Sequence, residues 1–161
     1  MSVRLFILSF FLSASLSSSA LAELWQKDNL QIDGRVLVQP MPGKKMTAAY
    51  MRIANAGTTD RQLVSVRADF AKKTEIHTVG LQDGVMKMRP LEGGLALPAG
   101  AEITLAPGGF HIMLIGLNRA LEAGAEASLA LRFADGTEAM LPFRIISRAE
   151  LLKQDKHQHK H

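Results

Sequence analysis

Pro107-Gly108-Gly109-Phe110-His111-Ile112-Met113-Leu114 opens with a turn signal and runs on as a strand through Leu117. Side chains alternate across a strand. Phe110, Ile112 and Leu114 therefore share one face, and His111 and Met113 share the other. The apolar set can fill a core. The opposite face then offers an imidazole and a thioether about 7 Å apart along the strand.

The neighbouring sequence repeats this grammar. Strands are expected at Leu30–Asp33, Arg35–Val38, Thr47–Ile53, Arg61–Val66, Thr74–Leu81, Val85–Met88, Leu95–Leu97, Glu102–Leu105, Ala127–Phe133 and Glu138–Ile146. Turn signals separate them, among them Asn55-Ala56-Gly57, Gln82-Asp83-Gly84, Pro98-Ala99-Gly100 and Asp135-Gly136. Short strands at spacings of about 8–12 residues indicate an all-β, antiparallel sandwich or barrel. Helical periodicity is poor until Arg148–Lys153, where a short terminal turn is expected. From Lys153 the chain is polar, ending Lys-Gln-Asp-Lys-His-Gln-His-Lys-His, and reads as a flexible tail. A length of 161 residues suits one domain, and no internal repeat of 20–50 residues is visible.

Residues 1–22 read as a secretory leader: Arg4, the apolar run Leu5–Leu12, a Ser-rich stretch and the small-x-small site Ala20-Leu21-Ala22. The apolar run is too short to span a bilayer. A soluble, exported, periplasmic domain over residues 23–152 is the expectation, with residues 153–161 as its tail. Cysteine is absent, which excludes disulfides, thiolate zinc sites and thiol catalysis. In an oxidising compartment, thioether and imidazole can replace thiolate for soft metals. The formal charge of +4 comes from scattered residues that gather only in the tail, and aromatics make up just 6%, so a nucleic-acid partner is not expected.

His77 and His111 are the two histidines of the body, each inside an expected strand, with Ile76 turned inward and His77 outward. Met86 and Met88 form a second alternating pair. His77, Met88, His111 and Met113 together make a set of two imidazoles and two thioethers, all neutral, with no carboxylate. Such a set favours Cu(I) over zinc, magnesium or calcium. Taken one at a time, a strand histidine can be structural, and a methionine can be a core filler.

The spacing of these residues resembles the PCuAC family of periplasmic copper chaperones. Ten residues separate His77 from Met88, and twenty-two separate Met88 from His111-x-Met113. The surrounding text is similar as well: Ala48-Ala49-Tyr50-Met51, Asp83-Gly84-Val85-Met86-Lys87-Met88-Arg89-Pro90 and Leu97-Pro98-Ala99-Gly100. The match runs from about Val36 to Ile146. Thr78 follows His77, and the second gap is one residue longer than the shortest form of the motif, with Glu92-Gly93-Gly94 available to absorb it.

The resemblance implies a cupredoxin-like Greek-key β-sandwich with Cu(I) at His77, Met88, His111 and Met113. It also implies delivery of copper towards cytochrome c oxidase assembly, alone or with a SCO-type thiol protein. Met88 over Met86 rests on the family spacing, and Met86 stays open as a substitute ligand. His157, His159 and His161 suggest a second, weaker Cu(II) site in the tail, with Met41 or Met46 nearby.

Two further readings compete: a periplasmic copper store or scavenger using the same ligands, and a metal-free structural β-sandwich. An enzyme is not expected, because the chain has no nucleophile elbow of the G-x-S-x-G type, although Glu75 and His77 share a strand face. A monomer is the expected state.

Overall fold

The computed structural model describes residues 24–82 and 84–158, with side chains described through Gln154. The leader, Asp83, His159 and His161 lie outside these residues, so the expectations placed on them stand apart from the fold. The elements, in chain order, are β1 (Trp25–Lys27), β2 (Leu30–Val38), β3 (Met46–Asn55), β4 (Arg61–Arg67), β5 (Ala71–Gln82) and β6 (Val85–Pro90). Then follow β7 (Leu95–Leu97), β8 (Glu102–Leu105), β9 (His111–Leu117), β10 (Glu126–Phe133), β11 (Glu138–Ile146) and the helix α1 (Arg148–Gln158).

The hydrogen-bonded order is β6-β5-β9-β3-β2-β11-β10-β4-β7, with β1 added to β2 and β8 to β3. Among the described residues every ladder is antiparallel except β2 with β11, which departs from the expected purely antiparallel pairing. The sheet wraps over itself. β4, near one end of the order, lies against β5, near the other, and the Thr74 hydroxyl donates to the Val66 carbonyl across that seam. The alternation read from the sequence fills the enclosed core. Leu30, Ile32 and Leu37 come from β2, Ile112 and Leu114 from β9, Leu129 and Phe133 from β10, and Leu141 and Phe143 from β11, each at most 2% exposed. Burial of such apolar side chains, each worth roughly 1.5–3 kcal/mol, is the main drive to this form.

Three differences from the sequence reading have physical causes. The two runs around Gly34 form one strand, β2, because the register shift between Asp33 and Val36 absorbs the break in alternation as a bulge. Strict alternation would also place Leu117 beside His111 and Met113. Gly116, at φ +72°, forms a bulge instead: its N–H and that of Leu117 both donate to the Lys45 carbonyl, at 2.7 and 3.1 Å. This turns Leu117 inward, to 7% exposure. The left-handed φ is one that glycine adopts without penalty. Finally, the C-terminal turn expected to end near Lys153 continues as helix to Gln158, so the first part of the expected tail, including the backbone of His157, is helical. The Ser147 hydroxyl caps this helix by accepting from the Glu150 N–H at 3.1 Å.

Candidate metal centre

The centre is built on three adjacent strands, β6, β5 and β9. Antiparallel pairing places His77 directly opposite His111, and Glu75 directly opposite Met113. On the other side of β5, Val79 faces Met88 and His77 faces Pro90. Directly opposed residues project to the same side, as do alternate residues of one strand. All four expected ligands therefore share the outer face of the sheet. Ile76, Ile112 and Leu114 point into the core beneath them.

The two imidazoles are the fixed part. Their ring centroids are 5.5 Å apart, with planes inclined at 60°, and the Tyr50 ring lies 6.5 Å from that of His111. His77 faces outward as expected, yet it is buried, at 9% exposure, and His111 is at 4%. The site is thus less open at its nitrogen end than the sequence suggested. The sulfur end is open: Met88 is 60% exposed.

Register also separates the two candidate methionines of β6. Met88 is a diagonal neighbour of His77, a relation that brings side chains within roughly 7–8 Å. Met86 stands opposite Leu81, two residues further out. It shares the face but lies about 7 Å more distant along the strand.

Both imidazoles have hydrogen-bond partners. Nδ1 of His111 lies 3.1 Å from the Gly109 carbonyl oxygen, and Nε2 of His77 lies 3.1 Å from Oε2 of Glu75. The other Glu75 oxygen pairs with Lys73 Nζ at 2.7 Å. Hydrogen bonding from Lys73, and then from His77, holds the Glu75 carboxyl below the usual carboxylate range. Burial pushes His111 below the usual histidine range. The Gly109 carbonyl opposes this, and the nearby His77 adds to it. A shift in this direction favours the neutral imidazole, the form that can donate a lone pair to a metal. Nδ1 of His77 is buried with no hydrogen-bond partner. A buried polar atom in that condition is uncommon in native proteins and calls for a missing partner.

Nitrogen and carboxylate alone do not make a cage here. Among the described residues no group of three or more His, Asp or Glu side chains could hold a metal ion. The thioethers of Met113 and Met88 share the face of the imidazole pair, and two nitrogens with two sulfurs are donors of the kind a soft ion takes. Glu75, already bridging Lys73 and His77, was noted in the sequence only as sharing a face with His77. Its partnership follows from the i, i+2 spacing on one strand.

The family model described as "Putative lipoprotein LpqE-like" matches residues 31–145. The chain belongs to the LpqE-like family. A Leifsonia xyli relative, "Putative lipoprotein Lxx21020", is 39% identical over 95 residues, covering 59% of this chain and 57% of that protein. The Rickettsia prowazekii protein "Uncharacterized protein RP573" is 25% identical over 121 residues, covering 75% of this chain and 62% of its own length. The chain thus spans less than two thirds of the curated relatives it matches.

Solved structures similar to this LpqE-like chain are PCuAC domains, in keeping with the resemblance read from the sequence. The apo PCuAC domain from PmoF1 superposes with a TM-score of 0.66 at 26% identity, covering 78% of this chain and 99% of that one. The copper-bound PCuAC domain from PmoF2 gives 0.67 at 20% identity, covering 78% and 98%, and bears on the fold alone. The CuI-DR1885 solution structure from Deinococcus radiodurans gives 0.59 at 26% identity, covering 82% and 86%.

Proposed function

We propose that this protein is an exported copper carrier, not an enzyme, and that it holds one Cu(I) between His77, Met88, His111 and Met113. The observation that carries the reading is the opposed, buried imidazole pair with thioethers on the same face and a buried His77 nitrogen lacking a partner. The neutral donor set matches a soft monovalent ion without requiring a buried counter-charge. The Cu(I) form of the similar DR1885 protein supports the same reading. Copper here is cargo. One exposed sulfur ligand beside two buried nitrogens suits transfer, because a recipient can replace ligands in sequence.

Anaerobic titration with Cu(I) against a competing chromophoric chelator tests the proposal. One ion per chain is expected, with sulfur and nitrogen shells both present in X-ray absorption. His111→Ala should lower Cu(I) affinity at least about a hundredfold, roughly 2.8 kcal/mol. Wild-type affinity in that variant, or an absorption spectrum lacking sulfur, overturns the assignment.

We further propose delivery towards cytochrome c oxidase assembly, alone or with a SCO-type thiol protein. Transfer of the ion to a purified SCO-type dithiol or to the oxidase copper subunit is the expected result, and retention against both points to storage instead. His157, His159 and His161 are proposed as a weaker Cu(II) site. A chain ending at Lys153 should then bind less Cu(II) than the full chain, and equal stoichiometry removes the tail site.

A further inference from the structure

We infer that Glu75 is the positioning residue of this centre: it fixes the His77 proton on Nε2, so that copper meets Nδ1 of His77 but Nε2 of His111. The inference rests on the copper-carrier reading and adds to it which nitrogen of each ring is offered and what sets that choice.

Lys73, Glu75 and His77 occupy alternate positions of β5 and therefore one face. The Glu75 carboxylate is held from both sides, by Lys73 on one oxygen and by His77 Nε2 on the other. An ionised carboxylate can only accept hydrogen bonds. The His77 nitrogen facing it must carry the proton. A neutral imidazole has a single N–H, so the lone pair resides on Nδ1. That atom is the one found buried and without a partner.

The same logic applied to His111 gives the opposite result. Its Nδ1 faces the Gly109 carbonyl, which also can only accept, so Nδ1 carries the proton and Nε2 the lone pair. Two directly opposed residues of neighbouring strands thus present different nitrogens. With both oxygens engaged, Glu75 stands behind the ligand it orients and is not itself a donor to the metal. Carboxylates behind metal-binding histidines commonly act in this way.

The test is long-range proton–nitrogen correlation NMR on the nitrogen-15-labelled full chain, before and after anaerobic addition of Cu(I). In the metal-free protein His77 should be protonated at Nε2 and His111 at Nδ1. Addition of Cu(I) should displace the resonances of His77 Nδ1 and His111 Nε2. Glu75→Ala should give a mixture of His77 tautomers and lower Cu(I) affinity about ten- to a hundredfold. Glu75→Asp keeps a carboxylate on the same face, a group that can only accept hydrogen bonds. It should hold more of the Nε2–H form and lose less affinity than Glu75→Ala, a rescue that general destabilisation would not produce.

A wild-type His77 protonated at Nδ1, or a Cu(I)-induced shift at His77 Nε2, overturns the inference while leaving the carrier reading intact. Failure of Cu(I) to move either ring overturns the carrier reading itself. Should Glu75→Ala fail to fold, as judged from its amide spectrum, the wild-type tautomers and the metal-shifted nitrogens still decide the matter.

Discussion

Met86 and Met88 are chemically identical and almost equally exposed, at 59% and 60%. Only the partner residue across the strand distinguishes them: Leu81 for one, Val79 for the other, with His77 a diagonal step from Met88. Met88→Ala should therefore weaken Cu(I) binding about tenfold or more, roughly 1.4 kcal/mol, and Met86→Ala should stay within twofold. Neither variant should change the thermal midpoint by more than a degree or two, because neither side chain is in the core. Competitive Cu(I) titration and a melt of each variant check this, and equal losses for both would mean that the hairpin register is wrong. The four residue types were legible in the sequence because alternation is a local property. Which methionine stands beside which histidine was not, since register between strands depends on contacts far apart in the chain.

Among the elements, the pairing of β2 with β3 shows how a turn-rich sequence is held in one register. Asp33 lies directly opposite Arg52, whose Nε donates to Oδ1 at 2.8 Å, and Arg52 also reaches Glu102 of β8 at 3.6 Å. The hydrogen bond from Arg52 holds the Asp33 carboxyl below its usual value of 3.8; partial burial works against this, and the charges of Arg52 and Arg35 reinforce it. A lowered carboxyl stabilises the fold fully above its ordinary value and loses that contribution as the pH falls through the lowered one. Arg52 is half exposed, which limits the pair to about 0.5–1 kcal/mol. Asp33→Asn should be less stable by that amount in urea unfolding at pH 7, with the gap closing as the pH drops below 3.8. A gap independent of pH would assign the loss to packing.

At this scale most strands were visible from alternation and Gly/Pro punctuation. β1 was not, because Trp25-Gln26-Lys27 is three residues long and mostly polar, and it becomes a strand only by pairing with Gln31 and its neighbours. The bulges at Gly34 and Gly116 were also hidden, since alternation assumes an unbroken pleat. Asn55 was read simply as the end of a strand. It is 1% exposed, and its amide donates to the Thr59 and Leu97 carbonyls at 2.8 and 3.0 Å, tying the turn to β7.

In the whole molecule, the buried core and the proposed copper site draw on overlapping but different sets of strands. The core is closed by β2, β3, β9, β10 and β11, whereas β6 ends the strand order and every one of its residues is exposed. Opening free energies in a protein range from near zero at frayed edges to the global value in the core. Amides of residues 85–89 should exchange with deuterium fastest among the strands in the metal-free protein and slow markedly with Cu(I) bound, while those of β9 stay slow in both states. Mass-spectrometric exchange measures this directly, and uniform slowing across all strands would contradict the division. With Met88 as the proposed ligand on that outer strand, peeling β6 alone away from β5 would break a single metal–sulfur bond and leave the imidazole pair on β5 and β9 in place, so the rate of unloading would be set by local fraying at β6 and not by the stability of the core.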